Sequence, residues 1–284
     1  MSEYFFGRYF KCVGDGHTVA FIPARHRRDG EERASLQIIT DKEARFFSFP
    51  IDDYKELDDG FGVRLGACRF EKDMISVDLS REDCTVRGKL ALGDFTPVGG
   101  DVMGLFRFVP FMQCRHSVYS MKHQVNGTLE LNGKRLLFDG GTGYIEGDRG
   151  RSFPENYLWT QAFSENGDSV MLSVATVPMG LFRFTGVIAA LLISGKEYRI
   201  ATYKGAKAVK IGGGEAVIRQ KDLTLYARLI EKKPFTLYAP QNGGMTRTIR
   251  ESASCAAAYR LEQNGRVLLA FETPRASFEY EYPE

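Results

Sequence analysis

The sequence has almost no excess of either charge. Its 38 Lys and Arg residues are nearly balanced by 36 Asp and Glu residues, which leaves a net charge of +2 at pH 7. The longest basic run is Arg25 to Arg28, with His26 inside it. A nucleic-acid footprint would be broader and interleaved with aromatic residues. We therefore expect no nucleic-acid partner.

Long hydrophobic runs are also missing. The most apolar stretch covers residues 187–193, and Gly186 and Gly195 bracket it. It is far shorter than the roughly 20 residues that a spanning helix needs. The N-terminal segment MSEYFFGRYFKC has neither a basic start nor a sustained apolar run. The sequence thus predicts a cytoplasmic protein with no membrane span.

Cysteine and histidine are scarce, and neither is spaced as a metal site. The five cysteines include no CxxC pair, which predicts reduced and mostly packed thiols. The four histidines form neither HxH nor HExxH, so we expect no dedicated metal site. His116 and His123 fall on one predicted strand, and their odd separation puts them on opposite faces of it.

The standard nucleotide and hydrolase signatures are absent. No GxxxxGK[ST] segment is present, and the glycine clusters at 14–16 and 212–214 lack the third glycine of a dinucleotide fingerprint. Residues 150–154, GRSFP, begin like a nucleophile elbow but end in proline. These absences argue against nucleotide binding and against Ser152 as a nucleophile.

Glycine and turn signals, in contrast, are abundant. The chain has 30 glycines, and apolar residues alternate with period two in segments such as 223–230 and 276–282. Residues 187–194 are short and bracketed by glycines, which favours a buried strand over a helix. The pattern predicts an all-β fold of short antiparallel strands and does not separate a sandwich from a barrel. Asn-Gly pairs, which mark tight hairpins, begin at Asn126, Asn132, Asn166, Asn242 and Asn264.

One hexapeptide, MGLFRF, occurs twice, at 103–108 and at 179–184. In each copy a glycine precedes alternating residues, as at the start of a strand, whereas the sequences after the two copies diverge. We interpret the copies as equivalent strand entries in two related β-barrels, with Phe106 and Phe182 at matching positions. A single large barrel that reuses a favourable strand start would also explain them.

Charged and aromatic residues concentrate in residues 141–161, GTGYIEGDRGRSFPENYLWTQ, which contain the only tryptophan. Glu146 and Asp148 share strand parity, so both carboxylates could face one side. Arginines beside them could hold these carboxylates ionised. A salt-bridged surface loop between two domains would have the same composition, so this segment is a candidate site with a structural alternative.

This segment resembles the signature of the tocopherol cyclase family, in which Gly-Tyr-x-Glu-x-Asp-Trp-Gly-x-x-Phe-Pro precedes a strand with Trp and Gln. Two further stretches, FVPFMQCRHSVYSMKHQVNG and LYAPQNGGMTRTIRES, resemble the strands before that signature and the family's C-terminal region. A more distant likeness is to carotenoid-hydratase-like proteins. The resemblance is to a bacterial tocopherol cyclase-like protein, and it implies two lipocalin-like antiparallel β-barrels packed together, over residues 1–140 and 141–284.

The resemblance also implies a reaction, the redox-neutral ring closure of a prenylated quinol or similar polyprenyl substrate without an organic cofactor. An acid protonates the prenyl double bond, and the phenol oxygen traps the cation in an apolar pocket that excludes water. The implied catalytic residues are Asp148 as the acid, then Glu146 and Tyr144. The candidates for ligand binding are Trp159, Gln161, Phe153, Arg149 and His116.

Arg149 departs from the resemblance, because the family usually has Trp at that position. Two alternatives to a cyclase-like enzyme are therefore kept. One is a non-enzymatic lipocalin-type carrier, whose partner would also be a small apolar or prenylated ligand. The other is a scaffold whose charged segment joins two barrels, and it would pair Glu146 and Asp148 with Arg149 and Arg151.

Overall fold

The structure is a computed structural model, and it describes residues 2–109, 112–179, 182–231 and 234–283. Across these ranges the chain is almost entirely antiparallel β-strand, which confirms the all-β prediction. No helix within them is long and apolar enough to cross a membrane. Short 3-10 turns cover Ile51–Asp53, Gly104–Phe108 and Thr202–Lys204.

The first sheet has 12 strands. Their bounds are β1 Tyr4–Gly14, β2 His17–Arg28, β3 Glu31–Thr40, β4 Ala44–Pro50, β5 Tyr54–Glu56, β6 Val63–Leu65, β7 Cys68–Phe70, β8 Met74–Arg81, β9 Cys84–Leu92, β10 Cys114–Leu131, β11 Lys134–Leu137 and β12 Gly141–Gly150. The strand order is β4-β3-β2-β1-β12-β10-β9-β8-β7-β6-β5, and β11 pairs with β10.

The second sheet has 10 strands. Their bounds are β13 Asn156–Phe163, β14 Ser169–Met179, β15 Phe182–Ile193, β16 Lys196–Ala201, β17 Lys207–Gly212, β18 Glu215–Gln220, β19 Leu223–Glu231, β20 Phe235–Gln241, β21 Gly244–Gln263 and β22 Arg266–Tyr280. The strand order is β16-β15-β14-β13-β22-β21-β19-β18-β17, and β20 pairs with β21.

The two sheets share one topology. Each begins with a meander of four strands, and the first strand of that meander pairs with the last strand of the same sheet. Each sheet also has its own hydrophobic core on one face, with Phe10 and Ile145 in the first core and Leu158 and Phe278 in the second. The opposite face of these paired strands is therefore free for polar residues.

The chain divides into two compact units. One comprises Met1–Pro97, Val118–Ser152 and Pro240–Thr246, and the other comprises Val98–Ser117, Phe153–Ala239 and Arg247–Glu284. The predicted boundary lay between residues 140 and 141. The first sheet extends ten residues further, because β12 pairs antiparallel with β1.

Most of the predicted Asn-Gly turns are present. The pairs at 132–133, 242–243 and 264–265 connect neighbouring strands with both residues at positive φ, and the pair at 166–167 lies between β13 and β14. The prediction for Asn126-Gly127 is wrong, because this pair lies inside β10. A Cβ on Gly127 would lie 2.3 Å from the Lys89 carbonyl oxygen of β9, so the glycine permits close strand contact there.

The prediction that both MGLFRF copies begin strands is also wrong. Gly104–Phe108 forms a 3-10 turn, in which the Asp101 carboxylate accepts a hydrogen bond from the Met103 amide at 2.8 Å. In the second copy β15 begins at Phe182, and residues 180–181 lie outside the described ranges. The copies nevertheless meet within one unit, because the Phe106 ring contacts Phe184 edge-on at 5.7 Å.

Two further predictions are confirmed. Residues 187–193 belong to β15, and Val187 and Leu191 are fully buried in the second core. All five cysteines are free thiols, and Cys114 is the one that is not fully buried.

Candidate functional site

The alternation of β12 separates an apolar face from an acidic one. Ile145 packs in the first core with Phe10 and Cys12. Because successive strand residues point to opposite faces, Tyr144, Glu146 and Asp148 share the face turned away from that core. The predicted parity of the two carboxylates is therefore present in the strand.

Two of these side chains form a buried hydrogen-bonded pair. The Tyr144 hydroxyl donates to Glu146 Oε2 at 2.5 Å, and the residues are 0% and 5% exposed. One carboxylate oxygen of Asp148 lies within 4.8 Å of one of Glu146. Asp148 is only half-buried, so it is the member of the group that is nearest to solvent.

The N-terminal strand supplies the other side of this acidic face. In the register of β1 and β12, Lys11 lies opposite Tyr144, Tyr9 lies opposite Glu146, and Gly7 lies opposite Asp148. Lys11 is fully buried and Tyr9 nearly so. Directly opposed residues of an antiparallel pair share a face, so the site contains a buried ammonium group and a second phenol.

The Tyr144 phenol is held in its neutral form. Burial raises the pKa of Tyr144 well above its usual value, and the neighbouring Glu146 and Asp148 carboxylates and Tyr9 raise it further. A neutral phenol is a hydrogen-bond donor over the whole physiological pH range. Tyr144 can therefore orient the Glu146 carboxylate without losing its own proton.

The arginines of the segment lie elsewhere. Arg149 is exposed and has the opposite parity to Glu146 and Asp148. Arg151 is exposed and pairs with Glu3 at 3.4 Å. The prediction that neighbouring arginines hold the two carboxylates ionised is therefore wrong, because strand alternation turns Arg149 to the other face. The scaffold hypothesis required these pairs, so it loses its main support.

Both predicted histidines lie on β10 and both are buried. His123 Nδ1 lies 3.0 Å from Ser120 Oγ, and burial lowers the pKa of His123 to about 4. His123 is therefore neutral at physiological pH. Strand β10 is the neighbour of β12 in the first sheet.

The remaining predicted ligand-binding residues belong to the second unit. Leu158 and Ala162 of β13 face the second core, so the buried Trp159 and Gln161 lie on its other face. Phe153 precedes this strand, and its ring contacts Tyr157 edge-on at 5.9 Å. Tyr157, Trp159 and Gln161 thus share one face of β13, and Phe153 contacts this set through the Tyr157 ring.

A second tyrosine–glutamate pair was missed at the sequence level. The Tyr157 hydroxyl donates to a Glu279 carboxylate oxygen, and Glu279 lies opposite Trp159 in the strand register. Burial and the Glu279 charge raise the pKa of Tyr157 well above its usual value. The available signal was the spacing Ser277, Glu279, Glu281, of which the first two lie on the last strand of the second sheet and the third follows its end. It repeats the spacing of Tyr144, Glu146 and Asp148 on the last strand of the first sheet.

Several solved structures are similar to this chain. One is a candidate AttH protein of Nitrosomonas europaea, with 12% identity, a TM-score of 0.55, and coverage of 99% of this chain and 92% of that one. Kievitone hydratase from Nectria haematococca has 8% identity, a TM-score of 0.54, and coverage of 98% and 89%. CghA has 10% identity, a TM-score of 0.62, and coverage of 99% and 90%, and it has also been solved with Sch210972.

These similarities establish the fold. No family model and no curated protein sequence matches the chain. The structural neighbours cover nearly the whole chain at low identity, which is typical of a shared architecture with diverged sequence. The chain therefore has the paired lipocalin-like β-barrel fold of these proteins.

Proposed function

We propose that the protein is a lipocalin-like enzyme that protonates a carbon–carbon double bond of an apolar substrate and lets an oxygen nucleophile trap the resulting cation. The observation that carries this proposal is the buried Tyr144–Glu146 hydrogen bond beside Asp148, on the face of β12 turned away from the first core. Two carboxyl groups within 4.8 Å supply an acid and a base at one place.

The finer form of the proposal is a tocopherol cyclase-like ring closure of a prenylated quinol. Asp148 donates its proton to the less substituted carbon of the double bond, and a tertiary cation forms at the other carbon. The phenol oxygen bonds to that carbon, and Glu146 accepts the phenol proton. Substrate and product are isomers, so no oxidant, reductant or water is consumed.

The neighbouring residues suit these roles. Tyr144 orients the Glu146 carboxylate that serves as the base. Tyr9 lies opposite Glu146 and offers an aromatic face that could stabilise a nearby cation. After each turnover Glu146 gives up the proton it took from the phenol and Asp148 takes one up, so the site returns to its starting state. Asp148 is the least buried of the group and can exchange its proton with solvent.

Arg149 stands where the tocopherol cyclase family usually has tryptophan, and this difference does not affect the proposed acid and base. Arg149 is exposed and lies on the other face of β12 from the two carboxylates. A tryptophan at that position would have the same parity, so the acid and base of the proposal do not depend on it. Kievitone hydratase, whose name denotes an enzyme that adds or removes water, has a similar fold.

The test is turnover of a prenylated hydroquinone by purified protein, followed by chromatography and mass spectrometry. Wild-type protein should form an isomer of unchanged mass, and Asp148→Asn should lower kcat by roughly 10²–10⁴-fold, the usual contribution of a general acid. Glu146→Gln should also lower kcat. Glu130→Gln, an exposed carboxylate on β10, is the matched control and should retain the wild-type rate. Equal rates for Asp148→Asn and wild type would sink the proposal.

A carrier without turnover is the second candidate. Tyr157 and Trp159 on one face of β13, with Phe153 against the Tyr157 ring, favour it, because aromatic surfaces bind apolar ligands. Gentle purification followed by solvent extraction and mass spectrometry separates the two candidates. A retained prenylated quinol or chromanol supports the enzyme, and a retained fatty acid supports the carrier.

A further inference from the structure

Arg8 is a buried cation that the proposed chemistry does not use. It lies on β1 with the parity of Phe10 and Cys12, so it belongs to the core-facing side of the strand. It is 1% exposed. One guanidinium nitrogen, Nη2, donates to the Gly60 carbonyl oxygen at 3.1 Å, in the loop between β5 and β6.

The remaining donors of Arg8 are poorly satisfied. Arg8 and the Tyr54 hydroxyl are close enough to interact with each other. Beyond that, the buried Nε and Nη1 atoms of Arg8 and the buried Tyr54 hydroxyl have no well-formed hydrogen bond to any residue that the structure describes. A buried charged group whose hydrogen bonds are not all made costs free energy. An acceptor group of a bound ligand would remove this cost at Arg8.

The Arg8 guanidinium and the Tyr54 hydroxyl lie close to each other. Burial raises the pKa of Tyr54 to about 12, and the Arg8 charge opposes that rise. The Tyr54 hydroxyl therefore keeps its proton and can donate it in a hydrogen bond at physiological pH. Together the two residues offer three donor atoms, Arg8 Nε, Arg8 Nη1 and Tyr54 Oη, to an oxygen acceptor.

The walls of this region are aromatic. The Arg8 guanidinium lies 4.5 Å from the Phe6 ring centre and 5.4 Å from that of Phe61. Phe61 also contacts the rings of Phe95 at 5.6 Å and Tyr119 at 5.2 Å. A ligand that fits beside Arg8 would thus carry a charged group at one end and an apolar, aromatic body next to it.

Arg8 differs from its cationic neighbour in having no carboxylate partner. Arg25 lies 5.9 Å from the centres of both the Phe6 and Tyr54 rings, and it pairs with Glu56 at 3.0 Å. Arg8 forms no such ion pair within the part of the chain that the structure describes. A singly charged anion fits this cation better than a dianion such as phosphate, which usually requires several basic groups.

We propose that Arg8 and Tyr54 form a receptor for the carboxylate or phenolate group of an apolar, aromatic ligand, on the core-facing side of the first sheet. This site is separate from the acidic face of β12, because Arg8 has the opposite parity to the β1 residues that face Glu146 and Asp148. The loop that contacts Arg8 through the Gly60 carbonyl oxygen is exposed at Asp58, Asp59 and Gly60.

The experiment uses 4-phenylbutyrate and its uncharged analogue 4-phenylbutanol as probes, with calorimetry at pH 7.5. The protein should bind the carboxylate at least tenfold more tightly than the alcohol. Arg8→Met should weaken carboxylate binding at least tenfold, and Arg64→Met, an exposed arginine on β6, should leave it unchanged. Absence of carboxylate binding, equal binding of acid and alcohol, or wild-type affinity in Arg8→Met would overturn the proposal.

Thermal unfolding distinguishes a receptor from a structural arginine. Arg8→Met removes an uncompensated buried charge, so its melting temperature should equal or exceed that of the wild type. A large fall in melting temperature would show that Arg8 serves folding and would overturn the proposal. Tyr54→Phe is the second test of the receptor. It should lower the affinity for 4-phenylbutyrate at least threefold, and unchanged affinity would overturn the proposal.

This inference stands apart from the proposed enzymatic function. Asp148→Asn should bind 4-phenylbutyrate as the wild type does, because Asp148 lies on the other face of the paired strands. Loss of turnover in that variant with retained probe binding separates the two sites. Loss of probe binding in Asp148→Asn would contradict the placement of the receptor.

Discussion

Single buried residues in the first sheet have clear electrostatic consequences. Tyr144 and His123 are both buried, and burial favours the neutral form of each. For Tyr144 this keeps a hydrogen-bond donor beside Glu146 at every physiological pH. For His123 it removes a positive charge that the imidazole would carry in water at mildly acidic pH.

His123 makes stability depend on pH in a defined window. The pKa of His123 is about 4 in the folded protein, against about 6.5 in an unfolded chain. As pH falls below about 6.5 the unfolded state binds the proton first, so stability is lost between about pH 6.5 and 4 and the loss levels off below that. The size of the effect is on the order of 3 kcal/mol.

The measurement is urea unfolding of wild type and His123→Gln at pH 7 and pH 4. The wild type should lose more stability than the variant over this interval, because the variant has no imidazole to protonate. His17→Gln on β2 is the control and should follow the wild type. Parallel losses in wild type and His123→Gln would show that His123 does not carry this effect.

At the scale of elements, two glycines determine how closely β9 and β10 approach. A Cβ on Gly88 would lie 2.3 Å from the Thr128 carbonyl oxygen, and a Cβ on Gly127 would lie 2.3 Å from that of Lys89. Both glycines have positive φ, at 141° and 133°. Neither obstacle is a flexible side chain, so the strands would have to separate.

Gly127→Ala should therefore destabilise the protein by about 2–4 kcal/mol, because strain and a backbone clash add. Gly212→Ala on β17 is the control, since nothing lies within 4 Å of its Cβ position and its φ is not positive. It should change stability by less than about 1 kcal/mol. Chemical denaturation measures both, and a Gly127→Ala variant as stable as Gly212→Ala would refute the account of this strand pair.

The two MGLFRF copies show that identical local sequence can adopt different backbone structures. The first copy forms a 3-10 turn, whereas in the second copy Met179 ends β14 and Phe182 begins β15. The difference comes from tertiary surroundings, since Tyr203 occupies the space beside Gly104 in the first copy. Asn126-Gly127 gives the same lesson, because a turn signal is overridden when the strand continues and another backbone packs against it.

At the scale of the whole molecule, period-two alternation and turn signals were sufficient to predict the all-β class. They also predicted that Glu146 and Asp148 share a face, because strand parity is a local property. They did not predict Lys11 and Tyr9 as neighbours of the site. The pairing of β1 with β12 joins residues more than a hundred positions apart, and no local pattern encodes that register.

The second sheet shows the same limit. Alternation along residues 276–282 puts Phe278 and Glu279 on opposite faces of a strand, and Phe278 does lie in the second core. In the structure Glu279 is buried and hydrogen-bonded to Tyr157. Which polar face of a sheet becomes buried depends on what covers it, and alternation alone carries no information about that cover.

The central claim is that a protein carboxyl group delivers a proton to carbon, and deuterium transfer tests it most directly. Wild-type protein is incubated with a prenylated hydroquinone in D₂O, and the product is returned to H₂O to exchange its hydroxyl groups before mass spectrometry. The account predicts a cyclised product that retains one deuterium on carbon, and it predicts that Asp148→Asn yields almost none. A product without carbon-bound deuterium, or no product from wild type, would contradict the account.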